Sequence, residues 1–293
     1  MDKLAYEADG TIVINRVKVH TAFHGPIESG LMKMCVIGLG NHQGAREIHR
    51  YGAQGLRERI PLTARQILKH GNILLGIAIT ENAYEETARL KAVRPEHFES
   101  EEAELLTWVR THMPKLPLEQ LDVLLIEEFG KHISGTGMDV NIIGRLKIPP
   151  EPEPKAPSIT SIVLLDLSDA SHGNANGMGL ADVITRQFFE KIDFQATYEN
   201  IRTTGFLERG KMPVIDETEQ QALECALQPC GLLPAQKAKI VKIQNTLTLG
   251  ELWVSQTVLH ELRKKDFIEI TGEIQELPTE GRAKNNLTKM AFL

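Results

Sequence analysis

Several features that would place this chain in a specialised class are scarce or absent in its sequence. Cysteine occurs only three times in 293 residues, which is too few for the disulfide framework of a small secreted protein. No hydrophobic run approaches the roughly 20 residues that span a bilayer, and the first residues do not resemble a secretory signal. We therefore expect a protein of the reducing cytoplasm that does not enter a membrane.

A large excess of positive charge is also lacking. Lys and Arg number 33 against 39 Asp and Glu, which gives a net charge of −6 with His neutral. General nucleic-acid binders carry a basic surface, so we predict no nucleic-acid partner. The hydrophobic fraction of 42% and the charged fraction of 25% are close to globular averages and exclude a disordered or collagen-like chain. Small molecules or other proteins are the expected partners.

Short apolar runs alternate with stretches of helical spacing along the chain. The runs are bounded by polar or glycine-containing turns and predict buried strands. These predicted strands lie at 11–15, 73–79, 121–129, 159–167 and 240–243. Helical spacing is found at 27–39 and 180–192. Strands separated by helices predict an α/β fold with mostly parallel sheets.

Two proline-rich segments are candidate domain boundaries. Ile148–Pro157 contains five of the 14 prolines and predicts an exposed connection, either a linker or a long loop within one domain. We place the boundary near Pro114–Pro117 instead, because the predicted strands that follow form one continuing sheet. This gives a first domain over 1–115 and a second α/β domain over 116–293. The first domain is either complete with a short edge or the surviving half of a longer domain.

Histidine is concentrated after the first predicted strand. Between Asn15 and His49 the chain is NRVKVHTAFHGPIESGLMKMCVIGLGNHQGAREIH, which contains His20, His24, His42 and His49. Histidine is the commonest metal ligand and is suited to proton transfer near neutral pH. His20 closely follows a strand, where α/β proteins usually hold their ligands. The alternative is a set of surface histidines in a loop, and their spacing alone names no metal.

Lys33 lies in the same window, within the apolar stretch Leu31–Ile37. A lysine flanked in this way either extends to solvent along its own methylene groups or is partly buried. Burial lowers the pKa of an ammonium group and makes the amine a nucleophile that can bond covalently to a cofactor. The pattern alone leaves both alternatives open.

Glycine-rich segments supply weaker signals. Gly38, Gly40 and Gly44 are spaced one residue too widely for the dinucleotide fingerprint, and they predict close approach of the backbone to another group, such as a phosphate. The loops 133–139 and 171–179 each follow a predicted strand. Each loop is therefore either an anion-binding loop or a tight α/β turn.

Two further patterns favour structural roles. Cys225 and Cys230 have no second cysteine pair or histidine nearby in the sequence, so they are predicted to be core thiols. The acidic run Glu99–Glu104 predicts a solvated helix face.

The window around Lys33 resembles the nickel-dependent lactate racemase family and its relatives, the 2-hydroxyacid racemases and epimerases. The resemblance is most specific over NRVKVHTAFHGPIESGLMKMCVIGLGNHQGA, and it continues through ISGTGMD, LLDLSDASHGNANGMGLADV and KIVKIQNTL. It covers most of the chain and implies racemisation or epimerisation of a small 2-hydroxy acid. It also implies a nickel-pincer nucleotide, a pyridinium-derived mononucleotide whose sulfur and carbon atoms hold nickel.

The same resemblance implies roles for three residues. Lys33 matches the lysine that anchors the cofactor covalently, and His49 matches the histidine that completes the nickel coordination. His20 matches one of two histidines that move the hydroxyl proton, while a hydride passes from C2 of the substrate to the cofactor and returns to the other face. Imidazole suits nickel on chemical grounds as well.

The sequence departs from the family pattern in two ways. Val19 stands where the resemblance leads us to expect proline. The resemblance also implies a long N-terminal part with the second acid–base histidine and the groups that bind the substrate carboxylate, for which this sequence has no substitute. We therefore expect the chain alone to be a poor catalyst. The alternatives are a non-catalytic remnant or subunit that binds nucleotide or metal and needs a partner chain, and an oxidoreductase that uses a free nicotinamide cofactor.

Overall fold

The computed structural model describes residues 1–149, 151–231, 237–263, 265, 268–277 and 285–292. The chain divides into two compact units, unit 1 over Met1–Pro114 with Thr203–Gly205 and unit 2 over Lys115–Arg202 with Phe206–Leu293. Both units combine helices with a sheet that contains parallel strands, so the predicted α/β fold is confirmed. No helix in the described ranges has the length and apolar character needed to cross a membrane.

Unit 1 contains a three-stranded sheet and five helices. In chain order its elements are α1 (Lys3–Glu7), β1 (Thr11–Arg16), α2 (Leu31–Lys33), α3 (Asn41–His49), α4 (Gly52–His70), β2 (Ile73–Glu81), β3 (Thr87–Val93) and α5 (Phe98–His112). The sheet order is β1-β2-β3, with β1 parallel and β3 antiparallel to β2. The predicted strands at 11–15 and 73–79 are therefore confirmed as strands.

Helices cover one face of this sheet closely. At Gly76 on β2, an added Cβ would lie 2.6 Å from the ring of Phe98 and 2.7 Å from a methyl group of Leu31. The covered face also includes the buried residues Val13 and Ala78. The opposite face is different, since alternate residues of β1 and β3 on that side are exposed. The prediction that the run at 11–15 is fully buried is therefore wrong for one of its two faces.

The predicted helix over 27–39 begins later and is irregular. Ser29 forms an antiparallel bridge with Lys18, so its backbone groups are occupied and the chain stays extended up to Gly30. Helix α2 then starts at Leu31 and continues without a break into a π-helical turn over Met34–Gly38.

Unit 2 contains an eight-stranded sheet flanked by helices. In chain order its elements are β4 (Gln120–Phe129), α6 (Val140–Ile143), β5 (Ser158–Leu167), β6 (Val183–Thr185), α7 (Arg186–Glu190), α8 (Phe194–Thr204), β7 (Val214–Asp216), α9 (Glu219–Leu227), β8 (Ile240–Ile243), β9 (Glu251–Ser255), α10 (Gln256–Leu262), β10 (Ile268–Leu277) and β11 (Asn285–Phe292). The sheet order is β10-β11-β9-β8-β4-β5-β6-β7. Strands β8, β4, β5, β6 and β7 are mutually parallel, and β9, β10 and β11 join by antiparallel pairing.

The core of unit 2 lies on its central parallel strands. Val123, Leu124 and Leu125 of β4 are fully buried, because successive residues face opposite sides of a sheet and both sides are covered. Helix α9 contributes Ala222 and Leu223 to the same cluster. The predicted strands at 121–129, 159–167 and 240–243 are confirmed.

The helix predicted over 180–192 is wrong in its first half. Val183–Thr185 form strand β6, whose residues pair with β5 and are all buried. The side chain of Thr185 then accepts a hydrogen bond from the Phe188 N–H at 3.2 Å, which starts α7. The apolar residues whose spacing predicted one helix instead belong to a short buried strand followed by a short helix.

The proline-rich segment 148–157 is a connection within unit 2, between α6 and β5. The carboxylate of Glu153 accepts hydrogen bonds from the backbone N–H groups of Leu146 and Lys147, each at 2.6 Å. Pro150 lies outside the described residues. Of the two alternatives for this segment, the loop within one unit is the observed one.

Candidate functional site

Lys33 lies at the junction between α2 and the π-helical turn. The neighbouring side chains Leu31, Met32, Cys35 and Val36 are buried, so this helix presses an apolar surface into the core of unit 1. A π-helical turn is rare and frequently occurs at functional sites. The local structure therefore singles out Lys33, the one ionisable amine on this helix.

The Lys33 side chain is partly buried rather than extended into water. Its Nζ lies 3.3 Å from the Ser29 Oγ. Burial lowers the pKa of Lys33 to about 8, against the opposing attraction of the negative charge of Glu102. Of the two alternatives for this lysine, partial burial is the observed one. An amine with this pKa is neutral for roughly a tenth of the time at pH 7, and this neutral form can act as a nucleophile.

His49 ends α3 and is brought into electrostatic contact with Lys33. Its Nδ1 is buried and has no hydrogen-bond partner among the described residues. Burial, and then the positive charge of Lys33, lower the pKa of His49. The ring is therefore a neutral imidazole, the form that ligates metals, with one nitrogen that lacks a partner.

Glu102 on α5 is a third ionisable group of this cluster, and the sequence interpretation missed it. Its side chain is 1% exposed, so the prediction that Glu99–Glu104 is a solvated face is wrong at this residue. Its Oε2 accepts the Met32 N–H at 2.9 Å, while Oε1 is buried without a partner among the described residues. Burial raises the pKa of Glu102 to about 7. A helix-period signal was available, because Glu102 lies four residues after the buried Phe98.

His20 is held in a separate loop, whose centre is the fully buried carboxylate of Glu28. Glu28 accepts the backbone N–H of His20 at 2.6 Å and that of Gly25 at 3.0 Å. Arg110 of α5 contacts the same carboxylate at 2.5 Å and donates to the Gly25 carbonyl at 2.6 Å. The loop that carries His20 is thus positioned by an ion pair between the buried Glu28 and the partly exposed Arg110.

The charge of Glu28 is maintained inside this loop. Burial alone would raise the pKa of Glu28, but hydrogen bonds from His24, the His20 and Gly25 backbones and Arg110 outweigh it, so its pKa is lowered. Glu28 is therefore an ionised anchor. A carboxylate with a lowered pKa is a weak proton acceptor, so Glu28 is better suited to holding the loop than to proton transfer.

The ring of His20 has a defined orientation. Its Nδ1 accepts the Ala22 N–H at 3.0 Å, and the ring packs against Phe23 with centroids 4.5 Å apart. An accepting Nδ1 places the proton of a neutral ring on Nε2. This hydrogen bond must break when the ring takes up a second proton. His24 and His42 of the same window are exposed.

The glycines of the Gly38-x-Gly40 motif approach their own helix rather than an open site. An added Cβ at Gly38 would lie 2.0 Å from the Met34 sulfur, and one at Gly40 would lie 2.1 Å from the Val36 carbonyl oxygen. The close backbone approach that the sequence predicts is therefore observed, but its partner is the preceding π-helical turn. Nothing here supports the phosphate interpretation.

In unit 2, the two glycine-rich loops meet at the carboxyl ends of β4 and β5. The Lys131 N–H donates to the Ser171 Oγ at 2.7 Å, and the Asn176 amide donates to the Gly135 carbonyl at 3.2 Å. Gly177, at φ +102, approaches Thr136 closely. These contacts show that the loops brace each other, as tight α/β turns do. Anion binding by either loop stays a prediction.

A cavity of about 770 Å³ lies at the opposite edge of the unit 2 sheet. Gln120 and Ser158, which begin β4 and β5, line it together with Asn141 and Lys239. The Asn141 amide donates to the carboxylate of Asp139, the last residue of the loop 133–139, at 2.9 Å, so the cavity extends close to the end of that loop.

The cysteines have no reactive features. All three are free, and burial raises the pKa of Cys35 to about 12. Cys225 and Cys230 are partly buried, and burial also raises their pKa values. These thiols stay protonated at neutral pH, which suits packing rather than nucleophilic chemistry.

A metal at this cluster would need ligands beyond the protein. Within the described residues, no group of three or more His, Cys, Asp or Glu side chains is arranged to hold an ion. His49 could supply one nitrogen to a metal whose other ligand atoms belong to a bound group, and Lys33 could supply an amine for attachment of such a group.

Comparisons with known proteins add no family to this picture. No family model, no curated protein and no solved structure matches this chain. Function must therefore be argued from the chemistry of the site itself.

Proposed function

We propose that this chain is a racemase or epimerase of a small 2-hydroxy acid and binds a nickel-pincer nucleotide in unit 1. The observation that carries the proposal is the pair formed by Lys33 and His49. It joins an amine whose pKa is lowered to about 8 to a neutral imidazole whose buried Nδ1 lacks a partner. This is the combination needed for one covalent attachment and one metal ligand.

In this proposal, Lys33 holds the nucleotide through an amide-type bond and His49 ligates nickel. When bound, the cofactor supplies a reversible hydride acceptor for C2 of the substrate. The negative charge of Glu102 favours the protonated form of Lys33 before attachment.

His20 is the proposed acid–base residue. Its Nε2–H is oriented by the Nδ1 contact to Ala22 and can donate a hydrogen bond to the hydroxyl oxygen of a bound 2-hydroxy acid. To accept the hydroxyl proton at Nε2, the neutral ring must carry its own proton on Nδ1 instead, so it must first release the Ala22 N–H. Proton transfer by His20 is thus coupled to a small movement of its loop, against the anchor that Glu28 provides.

The test is the composition and activity of the protein purified from its own source. Intact mass and a map of the Lys33 peptide would detect a nucleotide-sized adduct, and elemental analysis would detect nickel. Chiral chromatography would then measure interconversion of lactate, malate and longer 2-hydroxy acids. We expect the Lys33→Gln variant to lose adduct, nickel and activity together, and Lys69→Gln, at an exposed lysine of the same unit, to keep all three. An unmodified, metal-free Lys33 in active protein would contradict the proposal.

A second candidate is a subunit that binds the nucleotide or metal and becomes active only with a partner chain. The observation that favours it is the bare apolar face of the unit 1 sheet, where Ile12 and Ile14 are more than half exposed. An adduct on Lys33 without racemisation by the pure chain would support this candidate. Racemisation by the pure chain would exclude it.

A further inference from the structure

The cavity at the starts of β4 and β5 has an excess of positive charge. Its volume of about 770 Å³ is typical of small-molecule sites in proteins. Four lysines and two glutamates line it, which leaves an excess of two positive charges, whereas the whole chain has a net charge of −6. These charged residues are Lys115, Lys155, Lys239, Lys265, Glu119 and Glu261.

Two of the four lysines are engaged by the protein itself, and two are not. The Lys239 Nζ forms an ion pair with Glu261 at 2.7 Å, and the Lys265 Nζ donates to a backbone carbonyl at 3.2 Å. Lys115 and Lys155 form no hydrogen bond or ion pair with any residue that the structure describes. Their ammonium groups are therefore available to a bound anion.

Neutral polar groups line the same cavity. Neither the Gln120 amide nor the Ser158 hydroxyl has a hydrogen-bond partner within the described part of the chain. The strand register pairs Gln120 with Ser158, and Lys115 and Lys155 lie in the segments that lead into the same two strands. A single exposed lysine is ordinarily solvated by water, but here two unpaired ammonium groups and two neutral polar groups line one concave volume.

The backbone around the cavity is fixed by contacts within unit 2. The Ser158 N–H donates to the Glu119 carbonyl at 2.7 Å, which joins the segments that lead into β5 and β4. The Lys239 N–H donates to the Asp122 carboxylate at 2.7 Å. Part of the wall is apolar and includes the buried Ile142, which suits the carbon skeleton of an organic ligand. A pre-formed cavity with apolar walls and a few polar groups is typical of small-molecule sites.

We propose that this cavity binds a small organic dianion, whose two negative charges pair with Lys115 and Lys155. Carboxylate and phosphate oxygens accept hydrogen bonds from ammonium, amide and hydroxyl donors alike. Arginine, whose planar fork binds such groups in a bidentate manner, is not among the described residues of the wall. Lysine acts as a point charge, so the wall selects ligands by charge and size. A dicarboxylate and a phosphate monoester share this chemistry. The inference uses unit 2 alone and does not rest on the racemase proposal.

Isothermal titration calorimetry of the full chain at low ionic strength tests the proposal. The probes are succinate and glycerol 3-phosphate, with acetate and glycerol as controls that lack one or both charges. We expect one dianion to bind with a Kd below about 1 mM, and acetate and glycerol to bind at least about tenfold more weakly because each lost charge-assisted contact costs about one tenfold step. Tighter binding of succinate identifies a dicarboxylate site, and tighter binding of glycerol 3-phosphate identifies a phosphate-ester site. Equal affinity for acetate, or no binding of either dianion, would overturn the proposal.

Two lysine variants and a matched control locate the site. Lys115→Gln and Lys155→Gln should each weaken binding of the dianion by about tenfold. Both should leave thermal unfolding unchanged, because neither side chain has a partner among the described residues. Lys237→Gln removes the same charge from an exposed lysine that does not line the cavity, and it should leave the affinity unchanged. Equal weakening by all three substitutions would show a general attraction of anions to the surface and would overturn the proposal.

Acylation of the unaltered protein gives a second readout that needs no variant. Brief treatment with isotopically labelled acetic anhydride, with and without a saturating concentration of the dianion, is followed by peptide mass spectrometry. The bound dianion should slow acylation of Lys115 and Lys155 and leave Lys237 unaffected. Unchanged rates at Lys115 and Lys155 would place the dianion elsewhere and would overturn the proposal even if calorimetry detects binding.

Discussion

The titration of Lys33 gives the most direct test of the candidate site. Burial lowers the pKa of this amine from 10.5 to about 8. A difference of 2.5 units means that, at pH 7 and below, the neutral fraction of Lys33 is about 300-fold larger than that of an ordinary lysine. The neutral amine is the nucleophile, so its reaction with an acylating reagent should reach half of its limiting rate near pH 8.

Brief acylation with isotopically labelled acetic anhydride between pH 6 and pH 11 measures this midpoint. Mass spectrometry of the peptides that contain Lys33 and Lys69 reports both sites in one sample. The limiting rate depends on how far the reagent reaches each amine, but the midpoint of the pH profile depends only on the pKa. Lys69 is exposed and shows whether the reagent acylates an accessible amine in the same sample.

The variant Glu102→Gln identifies the cause of the shift. The negative charge of Glu102 raises the pKa of Lys33 against the larger effect of burial, so its removal should move the Lys33 midpoint below pH 8. A Lys33 midpoint near the ordinary lysine value of about 10.4, or one that moves upward in the variant, would refute the description of a buried amine beside a carboxylate.

Three further predictions concern stability. Burial raises the pKa of Glu102 from 4.5 to about 7, so the free energy of unfolding should fall by up to about 3 kcal/mol as the pH rises from 4.5 through 7. Urea titrations of the Glu102→Gln variant should not show this fall. The same pH dependence in the variant and the unaltered protein would contradict the prediction. Glu28→Gln should cost about 2 kcal/mol at neutral pH because backbone donors lose an ionised acceptor. Since the pKa of Glu28 is lowered, this stability is present above pH 4.5 and lost as the pH falls through the folded pKa. Faster hydrogen exchange over 20–25 checks it, and unchanged protection there would be inconsistent with the anchor. Gly137→Ala should lower the free energy of unfolding by about 2 kcal/mol, because φ is +74 and the new Cβ would lie 1.8 Å from the Phe129 ring. The control Gly135→Ala has open space around it and should change the free energy of unfolding by no more than about 0.5 kcal/mol. Equal effects of the two substitutions would argue against this packing.

The strands were predictable where every residue is buried. In β4 the run from Val123 to Ile126 has no exposed side chain, so a continuous apolar pattern and a doubly covered strand coincide. In β1 the same kind of pattern belongs to a strand with one open face. A run of β-branched residues does not distinguish a strand covered on both faces from a strand covered on one face, because the covering layer belongs to another part of the structure or to another chain.

The helix predictions failed where a distant partner decides the local conformation. The start of α2 is set by the bridge between Ser29 and Lys18, and the strand β6 exists because Val183 pairs with Val163 of β5. Both partners are separated in sequence from the residues that they constrain. The periodicity of a short sequence window does not depend on these distant residues, so it cannot predict such pairings.

The candidate site was predictable in its residue types but not in its electrostatics. The pattern around Lys33 left snorkelling and burial open, and burial is decided by α5, some 70 residues later. Glu102 was assigned to a solvated run because its neighbours are acidic. Its position on the stripe that contains Phe98 and Leu105 outweighs that composition, since helix period sets which side chains face the core.

The proximity of Lys33 and Glu102 has a consequence for the proposed cofactor-bound state. An amide bond at Lys33 removes a positive charge that at present lowers the pKa of Glu102. The pKa of Glu102, already about 7, should then rise further, and the carboxyl group should be protonated at neutral pH. Lys33→Gln reproduces the loss of charge without the cofactor, and carboxyl carbon NMR of selectively labelled glutamate follows the titration. A titration of Glu102 that is unchanged in this variant would show that the two groups do not sense each other, and the three-residue cluster would then reduce to a lysine and a histidine.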